Sequence, residues 1–385
     1  MTSRSLFSPL TLRGVTLRNR IGVSPMCMYA ASDGVATDFH TIHLGRFALG
    51  GAGLVIAEAT AVEPRGRISH HDLGAWSDQH IPGLRRIADA IRAGGGVPGI
   101  QLSHAGRRAS VREPWRAGAP LDESDGAAGW GPWETIAPSP VPPGPGWPAP
   151  VGLDDDGVRA SIAQWADAAR RVVEAGFDVV ELHGAHGYLL HQFLSPLSNQ
   201  RDDAWGGDAG RRLRYPLEVV RAVREQLGDR ALMYRISAVD GPAGGMGIED
   251  AAVVAARLRA AGVDLLDVSS GGISTDRATD LRVRRGFAFH ADFSRAVRDH
   301  GAGPVATVGL VVDPEQAARL VDHGDADLVL IGREALDDPN WPNHAARQLG
   351  CEEHWDLRFG SALLPRLATL KRLAEAGETP LTRFG

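Results

Sequence analysis

Cysteine and lysine are nearly missing from this chain. Cys27 and Cys351 are the only cysteines in 385 residues, too few for a disulfide framework, a four-cysteine zinc site or an iron–sulfur cluster held by four thiolates of one chain. Lys371 is the single lysine, and every other permanent cation is arginine. The body of the chain therefore offers no lysine for a Schiff base, a P-loop or a general base, which removes most aldolase and pyridoxal-phosphate chemistry. Positive charge is short as well. Set against 47 acidic residues, 41 basic ones leave a net charge of −6, the wrong sign for a protein that grips nucleic acid. No apolar run approaches the roughly 20 residues of a membrane span. Residues 1–14 lack the apolar core of a signal peptide, so a cytoplasmic location is expected. With 43% apolar and 23% charged residues, the chain falls outside the disordered, collagenous and coiled-coil classes.

What is present is a rhythm. Short runs rich in Val, Ile and Leu recur at 20–24, 53–59, 97–103, 178–183, 231–237, 265–270, 304–309 and 327–332. Each has the length and content of a strand buried on both faces. Amphipathic stretches lie between them. Residues 161–175 put Ile162, Trp165, Ala169, Val172 and Val173 on one face before Gly176, and 250–261 and 314–323 repeat the scheme before Gly262 and Gly324. Strand, helix and glycine in repetition predict an α/β fold, a single (β/α)8 TIM barrel. A doubly wound sheet is the rival, although it seldom needs so many consecutive parallel units. The rhythm breaks over about 107–156, where prolines crowd and tryptophans stand at 115, 130, 133 and 147. Such a Pro/Trp-rich insertion after strand three is expected to cap the barrel mouth as a lid, because disordered tracts are poor in aromatics. Mere surface decoration is the alternative. The barrel is expected to span 1–350, and 351–385 to form a C-terminal extension.

Residues just past the C-terminal ends of barrel strands surround one pocket, so they carry the chemistry. Gly309 and Gly332 would let backbone N–H groups approach a phosphate, and Arg333 adds a permanent positive charge. These glycines could equally just turn the chain. His183 and His186 have a spacing that could serve a metal, yet no third ligand is obvious and zinc helices prefer i, i+4. Two neutral imidazoles can instead donate to one carbonyl oxygen and stabilise charge developing there. Tyr188, one of four tyrosines, could then act as a general acid. Arg235, if it points inward, needs an anionic partner, either a ligand or Glu58. Gln101 suits a heterocycle edge or a satisfied core amide. Cys27 reads as a small buried hydrophobe or as a redox-tuning thiol, with no base beside it to make a nucleophile.

The opening LFSPLTLRGVTLRNRIGVSPMCMYA, the run GLVIAEATAV, the block IQLSHAGR, the stretch HGAHGYLLHQFLSPLSNQRDDAWGG and IGREALDDP together resemble the old yellow enzyme family. The SPMCMY and HGAHGYL motifs look like its thermophilic-like (class III) branch. That resemblance implies an FMN enzyme that reduces activated C=C bonds with NADPH or NADH, in a ping-pong cycle. It implies that Ser24, Pro25, Met26 and Cys27 run along the flavin, Ala59 and Gln101 lie near its pyrimidine end, and Arg235 lies by N1 and C2. Gly309, Gly332 and Arg333 would hold the phosphate. His183 and His186 would bind the oxygen of an enone, Tyr29 would flank it, and Tyr188 would donate the proton. No metal, nucleic acid or membrane enters this scheme. A homodimer or higher homo-oligomer is implied, with Arg383 reaching the neighbouring site. Competing readings are an FMN barrel dehydrogenase of hydroxy acids or dihydropyrimidines, a metal-dependent hydrolase with His183 and His186 as ligands, and a catalytically silent FMN-binding protein.

Overall fold

In the computed structural model, which describes residues 5–127, 129–276 and 285–380, eight parallel strands close on themselves. They are β1 (Ile21–Val23), β2 (Leu54–Ala61), β3 (Val97–Ser103), β4 (Val179–Gly184), β5 (Ala231–Ser237), β6 (Leu265–Ser269), β7 (Val305–Val308) and β8 (Leu328–Ile331). Each pairs in parallel with the next, and β8 returns to β1. Around them run α1 (Asp38–Leu49), α2 (Ile81–Ala93), α3 (Asp155–Glu174), α4 (Ala209–Leu227), α5 (Ile248–Ala260), α6 (Ala291–Val297), α7 (Pro314–Asp322) and α8 (Trp341–Gln348). The TIM barrel expected from the periodicity is the fold.

Helix α3 begins earlier than its apolar pattern suggested. Asp154 accepts a hydrogen bond from the Gly157 amide at 2.8 Å, and Asp155 and Asp156 fill the first turn. Carboxylates favour a helix N-terminus electrostatically, but they carry no apolar signal. Trp165, Ala169 and Val172 are buried as expected, while Ile162 and Val173 pack at the edge of the core.

The bottom of the barrel is plugged. A hairpin of Leu10–Leu12 and Val15–Leu17 precedes β1. Its Leu10, Leu12 and Leu17 pack with Leu54, Val179, Ala231, Leu265 and Leu328, which stand at or near the strand starts. Alternation along each strand then changes the chemistry upward, since inward positions recur every second residue. On β4 the inward row reads Val179, Glu181, His183, and on β5 Met233, Arg235, Ser237. On β6 it reads Leu265, Asp267, Ser269, with Arg235 opposite Asp267 and Ser237 opposite Ser269. Apolar residues seal the base, charged residues form the middle, and the hydrogen-bonding groups stand at the mouth.

One strand breaks its own phase. The β2–β3 register shifts between Ala57 and Ala59, a bulge at Glu58. The inward row of β2 passes from Ile56 to Ala59 instead of to Glu58, which turns to α1 and lies 3.8 Å from the buried imidazole of His40. Bulges re-aim side chains in this way.

Past the barrel, a helix α9 (Leu357–Glu375) lies outside the core, with only Gly360 buried. Arg383 falls outside the described residues.

Candidate active site

His183 and His186 stand at the top of β4, their rings edge to face with centroids 5.0 Å apart. Tyr188 meets His183 in the same manner at 4.7 Å. The loop that carries them is held on all sides. Ser237 accepts from the His186 amide at 3.1 Å, and Ser269 Oγ lies 2.7 Å from His186 Nε2. Arg108 donates to the carbonyl oxygens of both His186 and Gly272, at 2.7 and 2.6 Å. Gly187 has φ +74, and a Cβ there would lie 2.1 Å from the Gly272 oxygen, so only glycine fits this approach. Beneath it, His191 Nδ1 accepts from the Gly187 amide, and its Nε2 lies 2.7 Å from Asp240 Oδ1.

Electrostatics keep these rings neutral. Burial pushes both imidazoles well below the usual histidine range, and Arg235, Arg108 and His191 add to it. His186 also lowers His183. Burial raises the Tyr188 hydroxyl, against the opposing pull of Arg108, whose guanidinium carbon lies 5.9 Å from the tyrosine ring centre. Two neutral imidazoles beside a protonated phenol can donate to one oxygen and supply a proton next to it.

Lower in the barrel, Arg235 is buried and bonded to Asp267, and its Nη2 donates to Ser24 Oγ at 2.7 Å. The expected protein partner, Glu58, is replaced by Asp267 because the bulge turns Glu58 away and the β5–β6 register sets Asp267 opposite. Gln101 donates to Glu181 at 2.8 Å. Burial, then the charge of Asp267, raises the Glu181 carboxyl above the ordinary range.

At the far rim, Gly309 (φ +115), Gly332 and Arg333 line a cavity of about 180 Å³ between the ends of β7 and β8. A Cβ on Gly332 would meet Met26 Sδ at 3.6 Å, so the β1 loop reaches this cradle. Its next residue, Cys27, packs with Ala59, Tyr29 and Tyr188 in one small apolar cluster. Burial, followed by Asp72 and Glu58, pushes the Cys27 thiol up, which favours the protonated form over the reactive thiolate. The loop from Ser24 through Pro25 and Met26 to Cys27 thus spans the distance between the Arg235 guanidinium, the cradle and the tyrosines.

The NADH:flavin oxidoreductase / NADH oxidase family model matches residues 5–352. An NADPH dehydrogenase of Geobacillus thermodenitrificans is 42% identical over 347 residues, covering 90% of this chain and 94% of the relative. One from Listeria innocua is 43% identical over 349 residues, covering 90% and 95%. Among solved structures, morphinone reductase superposes with a TM-score of 0.73 at 28% identity over 90% of each chain. The old yellow enzyme homologue from Zymomonas mobilis, 24% identical with a TM-score of 0.72 over 91% of this chain and 94% of that one, shares the fold. The chain belongs to the old yellow enzyme family. It is therefore an FMN-dependent NAD(P)H oxidoreductase of the NADPH dehydrogenase type.

The residues present fit FMN. A glycine-lined cradle with an arginine at its edge suits a phosphate, and a buried guanidinium with a glutamine amide above the apolar layers suits the polar edge of a flavin. Among the described residues, no three His, Cys, Asp or Glu side chains converge as a metal site, and no helix is long and apolar enough to cross a membrane.

The site also contains groups that the sequence did not single out. Arg108 is one, and its signal was its place directly after the β3 block. His290 is another. Its Nδ1 donates to the Val308 carbonyl, its Nε2 lies 2.8 Å from Ser270 Oγ, and it backs the Gly309 turn. It sits far from any strand end in sequence and had no local signal. The insertion packs across several barrel loops: Arg107 donates to Val141 and Ile273 carbonyls, the Thr275 amide to Pro143, and the Gln200 amide to Ser139 Oγ.

Proposed function

We propose that this flavoenzyme is an ene-reductase, reducing C=C bonds activated by a carbonyl or nitro group, with NADPH or NADH as donor and a ping-pong cycle in one pocket. When bound, FMN supplies the hydride relay between the two substrates. Gly309, Gly332 and Arg333 hold its phosphate. Ser24, Pro25, Met26, Cys27, Ala59, Gln101 and Arg235 bind the rest, with Arg235 supplying positive charge fixed by Asp267. His183 and His186, both neutral, donate to the substrate oxygen and stabilise the charge that develops there. Tyr188 gives its proton to the α carbon, and Tyr29 flanks the substrate. Cys27 would stay a thiol lying along the flavin and would modulate its potential rather than attack substrate. The insertion serves as a lid that excludes water from this pocket.

The convergence of His183, His186 and Tyr188 with the cradle on one barrel mouth carries this reading. An anaerobic visible spectrum tests it. NADPH should bleach the flavin band and 2-cyclohexenone should restore it. A band that bleaches and is not restored by any enone or nitroalkene would reject the oxidant class while leaving the family intact. Homo-oligomerisation belongs to the same proposal, since α9 exposes Leu357, Phe359, Leu364 and Leu370. Sedimentation velocity should give at least twice the chain mass.

A further inference from the structure

Beyond the groups that handle the reacting bond, the mouth carries aromatic surface with no part in that chemistry. Trp133 and Trp147 of the insertion pack on the apolar cluster shared by Cys27, Tyr29 and Tyr188. Trp115, 69% exposed, stands edge-on to Tyr29 with centroids 5.6 Å apart. Tyr29 is itself held at φ +54, a conformation that persists in a non-glycine residue only where its surroundings impose it. Trp133 is fixed in place: its indole N–H donates to the Arg65 carbonyl at 3.0 Å, and Arg67 lies over its ring at 5.1 Å. Trp133 is thus preorganised, and both it and Trp115 present part of their surface to solvent.

Two of the charged groups beside the tryptophans are paired, while Arg108 near Tyr188 is bonded to carbonyl oxygens. His71 Nδ1 lies 2.7 Å from Glu113, and Arg65 pairs with Glu63 at 3.2 Å. A charged substituent entering here would find no unpaired partner in these two pairs. A flat apolar one would cover tryptophan faces that water solvates poorly.

Resting on the ene-reductase reading, we infer that this enzyme selects flat, fused-ring substrates. The activated ring lies against His183, His186 and Tyr188, and the remote ring lies against the open faces of Trp115 and Trp133, beside Tyr29. A single-ring enone fills only the inner part.

The test titrates FMN-loaded wild type, Trp115→Ala, Trp115→Phe and Trp133→Ala with phenol and with 2-naphthol, following the long-wavelength flavin absorption. In Trp115→Ala the preference for 2-naphthol over phenol should fall about tenfold, the size of one aromatic contact plus its buried area. Phenol affinity should stay unchanged, and Trp115→Phe should retain most of the preference. Trp133→Ala should lower the same ratio. An unchanged ratio in both alanine variants, or equal losses for the two ligands, would overturn the inference. Reoxidation by 2-cyclohexenone, run on the same preparations, separates the two proposals: its failure strikes the ene-reductase reading, while the binding ratio is still measured.

Discussion

Tyr188 and the two imidazoles beside it pack as one group in which burial favours the neutral form of each. The hydroxyl holds its proton because its phenolate would be poorly solvated; in the proposed reaction it would give that proton only to a strong base forming next to it. Tyr188→Phe should slow reoxidation by enone by about 10²-fold or more, the usual weight of a positioned general acid, and leave reduction by NADPH nearly unchanged. Stopped-flow measurement of each half-reaction checks this, and equal losses in both would remove the role. His290 permits a second residue-scale prediction. Burial lowers it to about 4, against roughly 6.5 in an unfolded chain. Between those values the unfolded chain binds the extra proton, so the native state loses stability as pH falls from about 6.5 towards 4. His290→Gln removes that loss. The wild-type minus variant difference in unfolding free energy should change by up to about 1.4 kcal/mol per pH unit across this window, read from urea melts at several pH values. A difference independent of pH would show that the imidazole does not titrate there.

At the scale of elements, the loop after β4 depends on a close backbone approach. Gly187→Ala forces a Cβ into the Gly272 oxygen at a left-handed position. The variant should lose more than the roughly 1–3 kcal/mol that such a conformation alone costs, and the shift of His186 should weaken phenol binding. Urea midpoints and flavin-monitored titration report the two effects separately. Normal stability would mean that the loop relaxes freely. The element boundaries show what periodicity carries and what it omits. Strands β3 and β5 match their apolar runs because both faces are buried. The first turns of α3 escaped the pattern because they are polar and held by caps. The bulge at Glu58 also left no mark in composition, since Ala57 and Ala59 read alike until one knows which faces the pocket.

Across the whole molecule, stability and chemistry occupy opposite ends of the barrel. The hairpin plug seals the base, where Leu17 is fully buried. Leu17→Ala should cost about 2–5 kcal/mol, as large-to-small core changes do, with turnover at saturating substrate unchanged. Urea melts and steady-state assays decide it. A matching fall in turnover would mean that the plug positions the site after all. The eight runs of buried strand residues, the glycines after β7 and β8 and the His-x-x-His-x-Tyr spacing were legible in one dimension. Each depends on local periodicity or on residues close in sequence. The partner of Arg235 was not, because it depends on which inward row lies opposite across β5 and β6. Nor was the placement of Arg108, which needs the His186 and Gly272 loops brought together, or the edge-on contact of Trp115 with Tyr29. The sequence alone therefore determined the barrel, the FMN family it resembles and which groups stand at the strand ends. Tertiary structure decided which of those groups meet, because register, bulges and long loops set distances that local physics leaves free.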